Sequence, residues 1–178
     1  MFIVIEDLKP EPLHVRHVFP AKEIMFSHAD AFLKIPVTTD FVLTRKGRDL
    51  HFSGNIETEI GFTCSRCAKE FSQPFAADFD LFYRPHPTEV VENSEIELKY
   101  EDMEIAYYDG VVFDVNVMVL EQIELAMPMK FVCSEDCRGL CCKCGADLNE
   151  EKCLCMEKPD PRMSALLDFK HKMKQVVH

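Results

Sequence analysis

The sequence LHFSGNIETEIGF at residues 50–62 alternates apolar and polar side chains along most of its length. A period of two places the apolar side chains on one face of a strand, so this stretch predicts a long antiparallel β-strand with one buried face. The alternation resumes at residues 71–83, which are rich in phenylalanine. Because Cys64 and Cys67 lie between the two stretches, we expect this cysteine pair at the tip of a β-hairpin.

Working outward, shorter apolar runs extend the predicted sheet on both sides. Residues 2–5 and 13–19 are separated by two prolines and suit edge strands or an extended arm. Residues 41–44 and 103–108 are predicted as further strands. Residues 85–102 lose the apolar pattern and are rich in glutamate, which predicts a solvated acidic loop.

Two helices are predicted after the strands. Asp114 offers a capping oxygen ahead of apolar residues at helical spacing, and Pro128 ends that pattern, which predicts a helix near 114–127. Asp160 and Pro161 have the order typical of a helix start, a capping acceptor followed by proline in the first turn. We therefore expect a C-terminal helix.

The composition limits the partners and the compartment. At 178 residues and 47% hydrophobic, the chain can bury a core of its own. Acidic residues outnumber basic ones, 31 against 20, and the net charge of −11 repels nucleic acid, so RNA contact would need a local basic patch. The N-terminal stretch does not resemble a secretory signal, and no apolar run approaches the length of a membrane span. We expect a cytoplasmic protein with reduced thiols, no membrane contact and no small-molecule substrate.

The cysteines indicate metal binding. Seven of the nine lie within residues 133–155, at spacings of one to three intervening residues that suit tetrahedral metal ligation far better than disulfide bridging. Such sites predict one or two structural Zn²⁺ ions as the cofactor, and a structural zinc contributes roughly 10 kcal/mol of folding free energy. An iron–sulfur cluster also uses four thiolates and stays open as an alternative.

The spacing also predicts how the cysteines group. The first predicted site closes within a short segment and consists of Cys141, Cys144, Cys153 and Cys155. The second predicted site joins two distant pairs and consists of Cys64, Cys67, Cys133 and Cys137. Other pairings are possible, but this one closes the shortest loop and therefore costs the least entropy. This pairing assigns eight cysteines to the two sites and leaves Cys142 outside both.

These predictions combine into an α+β fold: a mainly antiparallel sheet, a helix near 114–127, a cysteine-rich zinc-binding segment and a C-terminal helix. We divide the chain into an antiparallel β domain at 1–128, with the acidic loop and the packing helix, and a second part at 129–178. The second part contains the zinc-binding segment and the C-terminal helix.

One long string of residues resembles a known family. It runs from LAMP at 125–128 through CRGLCCKCG at 137–145 and CLC at 153–155 to DPR at 160–162, with CSRC at 64–67 upstream. This pattern is similar to that of the YceD family of large ribosomal RNA accumulation proteins. Where the pattern leads us to expect proline, this chain has Cys142, which leaves open whether Cys141 or Cys142 is the ligand.

The resemblance implies a non-enzymatic role in accumulation or maturation of 23S ribosomal RNA and in large-subunit ribosome biogenesis, in bacteria or plastids. It further implies large-subunit ribosomal RNA or a basic, zinc-containing ribosomal protein as the partner. A strongly acidic protein is better suited to binding a basic protein than to binding the phosphates of RNA.

We predict no catalytic residues, because the sequence has no phosphate-binding loop, no serine-hydrolase motif and no zinc-protease motif. The alternatives are a thiol-dependent redox or nucleolytic enzyme, for which Cys64 and Cys67 would be the redox pair, and a zinc storage or delivery protein. Basic residues near the cysteines either compensate thiolate charge or contact RNA. They are Arg66, Lys69, Arg138, Lys143 and Lys152.

Overall fold

The computed structural model describes residues 1–86, 105–155 and Arg162. Its elements in chain order are β1 (Phe2–Val4), β2 (Leu13–Phe19), β3 (Ala31–Leu33), β4 (Val37–Lys46), β5 (Asp49–Thr63), β6 (Glu70–Pro85), β7 (Ile105–Tyr108), β8 (Val112–Asp114) and α1 (Val115–Ala126), with a 3₁₀ turn at Ile5–Asp7. The predicted C-terminal helix and most of the predicted acidic loop lie outside the described residues.

The main sheet has six strands. Five lie in the order β2-β4-β5-β6-β7, and β3 pairs with β5 beyond the N-terminal end of β4. β5 and β6 form the predicted long hairpin, paired antiparallel from Leu50 opposite Tyr83 to Thr63 opposite Glu70. β2 lies at an edge, as predicted. β7 instead runs parallel to β6, a pairing that the residue pattern did not predict. β1 and β8 form a separate two-stranded sheet.

The core lies between one face of the main sheet and α1. The alternation in β5 buries Phe52, Ile56 and Ile60 completely. On the helix, the buried side chains recur at the spacing of one helical face, and they are Val115, Met118, Val119 and Ile123. Each such buried apolar side chain contributes about 1.5–3 kcal/mol of transfer free energy. The predicted mainly antiparallel sheet with a packing helix is therefore confirmed.

Local signals set the ends of α1. The carboxylate of Asp114 accepts a hydrogen bond from the backbone N–H of Asn116 at 2.9 Å, which is the predicted cap. The helix ends at Ala126, two residues before Pro128. Among the described residues, we find no helix whose length and hydropathy would let it cross a membrane.

The chain beyond α1 passes over the tip of the β5–β6 hairpin. The carbonyl oxygen of Phe131 accepts a hydrogen bond from the backbone N–H of Ser65 at 2.8 Å. The ring of Phe131 packs on that of Phe62, with 4.5 Å between the centroids. The division at residue 128 stays a prediction, and Phe131 from its second part lies in the core of its first.

Candidate metal centres

The structure brings eight of the nine cysteines into two groups of four, and within each group all Sγ atoms lie within 4.8 Å of one another. We name the first group the bridging quartet: Cys64, Cys67, Cys133 and Cys137. We name the second group the distal quartet: Cys141, Cys144, Cys153 and Cys155. These groups have the membership that the spacing predicts, and both could hold a metal ion. Cys142 is exposed and lies outside both quartets.

The distances between sulfurs fit an ion better than a disulfide. The sulfurs are separated by 3.9 Å in Cys64 and Cys137, 3.6 Å in Cys67 and Cys133, 3.5 Å in Cys144 and Cys153, and 3.4 Å in Cys141 and Cys153. A disulfide would need about 2.05 Å. Four sulfurs at the usual zinc–sulfur distance from one tetrahedral centre lie about 3.8 Å apart. That the eight thiols bind zinc stays a prediction, but the donor set fits it.

The hairpin tip folds into a tight turn around Cys64. The backbone N–H of Arg66 points at the Cys64 sulfur, with 3.5 Å between nitrogen and sulfur, and the N–H of Ala68 donates to the Cys64 carbonyl at 2.9 Å. Ala68 adopts a left-handed backbone with φ of 57°, which is uncommon for a residue other than glycine. The turn therefore directs both sulfurs of the pair to one side.

The distal quartet repeats this turn in a separate part of the chain. The N–H of Lys143 points at the Cys141 sulfur at 3.4 Å, and the N–H of Gly145 donates to the Cys141 carbonyl at 2.9 Å. Gly145 has φ of 73° in the position that Ala68 occupies at the hairpin tip. Cys141, and not Cys142, thus has the place in its turn that Cys64 has at the hairpin.

Electrostatics limits how many thiolates each quartet can hold alone. Burial raises the pKa of Cys64. The N–H of Cys133 and other backbone donors outweigh burial and lower the pKa from its usual value to about 6. The N–H of Cys144 and that of Lys143 lower the pKa of Cys141 to about 6.

In each quartet, one further thiol strongly resists a second negative charge. The side-chain hydrogen bond with Cys137 raises the pKa of Cys133 to about 12, and that with Cys153 raises the pKa of Cys155 to about 12. The backbone donors thus favour one thiolate in each quartet but do not ionise all four thiols, and four thiolates need a cation. A divalent ion would supply this charge.

The bridging quartet joins the hairpin tip to the chain after α1. The N–H of Cys133 points at the Cys64 sulfur at 3.4 Å. The guanidinium of Arg66 donates to the carbonyls of Glu135 and Cys137, each at 2.9 Å. Cys64, Cys67 and Cys137 are buried, and Cys133 is the most exposed of the four.

Asn149 and Gly139 hold the two quartets against each other. The side-chain oxygen of Asn149 accepts from the N–H of Arg138 at 2.8 Å, and its amide nitrogen lies 3.5 Å from the sulfur of Cys137. Gly139 has φ of 75°, and an added Cβ there would lie 2.8 Å from the Arg66 carbonyl oxygen. Glycine is therefore needed at this crossing.

An ion pair adds a second connection between the quartets. The ammonium of Lys69, at the hairpin tip, lies 3.1 Å from a carboxylate oxygen of Asp147 and also pairs with Glu150. The N–H of Leu140 donates to the Arg66 carbonyl at 3.0 Å beside it. The residue pattern did not predict these contacts, because they join residues roughly 70 to 80 positions apart with no periodic signal.

The predicted basic residues thus divide into two kinds. Arg66 and Lys69 make structural contacts between the two cysteine-containing segments. Arg138, Lys143 and Lys152 line a cavity of about 640 Å³ together with cysteines of the distal quartet, where their charge opposes that of the thiolates.

The family model described as "Large ribosomal RNA subunit accumulation protein YceD" matches residues 52–170, which include all nine cysteines. The chain belongs to the YceD family. The resemblance found in the sequence is thereby confirmed, and both quartets of this YceD-family chain lie inside the matched region.

Two plant relatives of this YceD-family chain are both named large ribosomal RNA subunit accumulation protein YCED homolog 1, chloroplastic. The protein of Arabidopsis thaliana is 26% identical over 161 residues, covering 79% of this chain and 50% of its own length. The protein of Zea mays is 26% identical over 157 residues, covering 75% and 53%. The chain therefore spans about half the length of the curated relatives it matches. No solved structure matches it.

Proposed function

We propose that the chain is a non-catalytic zinc-binding protein that supports accumulation and maturation of 23S ribosomal RNA, and with it the assembly of the large ribosomal subunit. The observation that carries the proposal is the pair of four-sulfur quartets inside the region that the YceD family model matches. The names of the two plant relatives support the same role.

The proposed zinc is structural in both quartets. Sites with four thiolates are closed, whereas a catalytic zinc keeps an open position and commonly uses histidine or carboxylate ligands. In the bridging quartet, the ion would hold the hairpin tip to residues 133–137. In the distal quartet, it would hold a local loop. Each site would add about −2 to the charge of the chain, by counting four thiolates against one divalent ion.

The proposed partner is large-subunit ribosomal RNA or a basic ribosomal protein, of which we favour the protein. The net charge of −11 attracts a basic protein and repels the phosphate backbone. The thiols of both quartets must stay reduced to ligate zinc, so a reducing compartment such as the cytoplasm suits the protein.

Elemental analysis by mass spectrometry tests the metal. We expect two zinc ions for each purified chain and the same content in Cys142→Ser, since that thiol lies outside both quartets. A sample that folds normally without any transition metal would contradict the proposal, and iron in place of zinc would identify a cluster.

Deletion of the gene tests the role. We expect lower 23S ribosomal RNA levels and a defect in large-subunit assembly, restored by the intact chain and by Cys142→Ser. Normal levels of 23S ribosomal RNA in the deletion strain under stress, with no assembly defect, would contradict the proposal.

Zinc delivery is a second candidate, favoured by the exposure of Cys144 and Cys155 in the distal quartet. Delivery requires an ion that exchanges readily, whereas a structural ion is held. Competition with a chromogenic chelator separates the two, because delivery predicts release of one ion by a chelator of moderate affinity while the fold stays intact.

A further inference from the structure

A groove of about 530 Å³ lies beside the bridging quartet, between the end of α1, the hairpin tip and the loop before β3. Its apolar lining consists of Met127, Pro128, Met129 and Phe131. Its polar lining consists of His28, Asp30, Ser65 and Glu124. Among the described residues that line the groove there is no lysine and no arginine, so the groove combines apolar surface with carboxylates.

The floor of the groove is rigid. Phe131 is buried, its ring packs on Phe62, and the ring of His28 meets it edge-on at 5.4 Å. Its carbonyl accepts from Ser65, which lies between the cysteines of the hairpin tip. The bridging quartet therefore holds the floor in place.

The wall on the side of α1 is adaptable. Met129 is fully exposed and Met127 is partly exposed. Methionine has three rotatable bonds and a polarisable sulfur, so it fits apolar side chains of different shapes and is common at surfaces that bind peptides. A fully exposed methionine next to an ordered aromatic floor is apolar area available to a partner.

The charge of the groove selects the class of partner. Asp30 and Glu124 are exposed carboxylates at its rim, in a chain with a net charge of −11. Carboxylates repel a phosphate backbone and attract lysine and arginine side chains. Apolar surface rimmed by carboxylates is complementary to a protein segment that carries both apolar and basic side chains.

We propose that this groove docks a basic segment of a partner protein, with apolar side chains of that segment packed between the two methionines and Phe131. The inference rests on the proposed function in one respect, that the partner is a basic ribosomal protein. The recognition of apolar and basic side chains rests on the apolar lining and the carboxylates of the groove itself.

The direct test measures binding of the zinc-loaded chain to a fluorescein-labelled synthetic peptide of lysine and leucine, arranged as an amphipathic helix. We expect Glu124→Lys and Met129→Ser each to weaken binding about five- to tenfold, because one reverses a rim charge and the other removes exposed apolar surface. Both side chains are exposed, so the thermal unfolding of the variants should match that of the wild type.

A matched control makes the same charge change elsewhere. Asp78 is exposed on β6 outside the groove, and Asp78→Lys should change affinity less than about twofold. An all-lysine peptide should bind the wild type weakly and lose nothing in Met129→Ser. Equal losses in Glu124→Lys and Asp78→Lys, or no binding by the wild type, would overturn the inference. So would a loss of affinity in Met129→Ser seen for single-stranded RNA and not for the peptide.

Complementation separates this inference from the proposed function. If deletion lowers 23S ribosomal RNA and the double variant of Glu124→Lys with Met129→Ser restores it fully, the docking role is wrong while the proposed function stands. If deletion leaves 23S ribosomal RNA normal, the proposed function fails, and the peptide measurements still decide whether the groove binds basic segments.

Discussion

The two quartets share the same turn but differ in what surrounds them. The bridging quartet joins Cys67 to Cys133, 66 positions apart, and three of its four cysteines are buried. The distal quartet joins Cys144 to Cys153, 9 positions apart, and two of its four are exposed. The same donor set is therefore used once within a folded core and once in a local loop.

The difference indicates what would hold each proposed ion in place. Closing the longer separation costs about 2 kcal/mol more chain entropy, by the logarithmic dependence on loop length. In the bridging quartet, the packed sheet and α1 hold the hairpin tip and the chain after α1 beside each other, which offsets this cost. The distal quartet lies in a local loop, which contacts of Asn149, Lys69 and Leu140 connect to the bridging quartet and the hairpin tip. We therefore expect the bridging ion to be the tighter one and its loss to damage the fold more.

The largest expected effect comes from removing a bridging ligand. Cys64→Ser should release one ion and lower the free energy of unfolding by about 3–5 kcal/mol, because the hairpin tip loses its link to residues 133–137. For a chain of this size, such a loss lowers Tm by about 10 °C. Thermal unfolding with parallel elemental analysis measures both.

Two matched variants sharpen this result. Cys142→Ser removes an exposed thiol outside both quartets and should leave Tm and metal content unchanged. Cys153→Ser should also remove one ion but lower Tm much less than Cys64→Ser does. Equal losses in Tm for the bridging and distal variants would contradict the comparison.

The second expected effect is an order of metal release. A chelator in excess should remove the distal ion at least about tenfold faster than the bridging ion, since exposed sulfurs let the chelator approach. Stopped-flow measurement with a coloured chelator should show two phases. Alkylation of the released thiols, mapped by mass spectrometry, should reach Cys144 and Cys155 first. A single phase, or release in the opposite order, would refute the expected order.

The parts of the fold predicted from sequence are those with a local signal. The alternation at 50–62 predicted β5, and the capping oxygen of Asp114 with the break at Pro128 predicted α1. The parallel pairing of β6 with β7 was missed because it depends on the route of the chain between them, where the apolar pattern is lost. The pairing of β1 with β8 was missed because three-residue strands have no measurable period.

The candidate site follows the same rule. The cysteines were grouped from their spacing and from the shorter loop that this pairing closes, since thiols close in sequence can face one side of a turn. The positive φ of Ala68 was not predicted, since alanine does not indicate a left-handed backbone as glycine does. The groove beside the bridging quartet was not predicted either, because its lining comes from three separate segments of the chain.

The third expected effect concerns the left-handed residue of each turn. Gly145→Ala adds a Cβ with no heavy atom within 4 Å, so only backbone strain should count, about 1 kcal/mol. Distal metal affinity should fall about fivefold, with bridging affinity unchanged. Ala68→Gly should raise the metal affinity of the bridging quartet. The gain should be less than about 1 kcal/mol, because glycine also increases the conformational entropy of the unfolded chain.

A control for strain alone is available at the β4–β5 turn. Gly47 has φ of 64° and equally open surroundings, so Gly47→Ala should lower Tm without altering the affinity of either ion. Chelator titrations followed by native mass spectrometry report the two ions separately. A change in distal affinity as large in Gly47→Ala as in Gly145→Ala would contradict the assignment of strain to the metal turn.

The smallest expected effect is that of Lys69, whose ion pairs connect the two quartets through exposed side chains. Such pairs contribute little in water, so Lys69→Met should speed distal release only a few-fold, while Lys46→Met, far from both quartets, should leave it unchanged. The ratio of the two release rates should be constant from about pH 5 to pH 9, because Lys69 and its carboxylate partners stay charged over that range.

The hydrogen bond from the N–H of Asn149, followed by that from Lys69, holds the pKa of Asp147 below its usual value, so its contribution is present above that value and is lost as the pH falls below about 4. Glu150 and then Asp147 raise the pKa of Lys69, so its contribution is lost only above about pH 10. Release rates of wild type and Lys69→Met measured across this range should therefore keep a constant ratio. A ratio that changed between about pH 6 and pH 8 would show that a group other than this ion pair couples the two quartets.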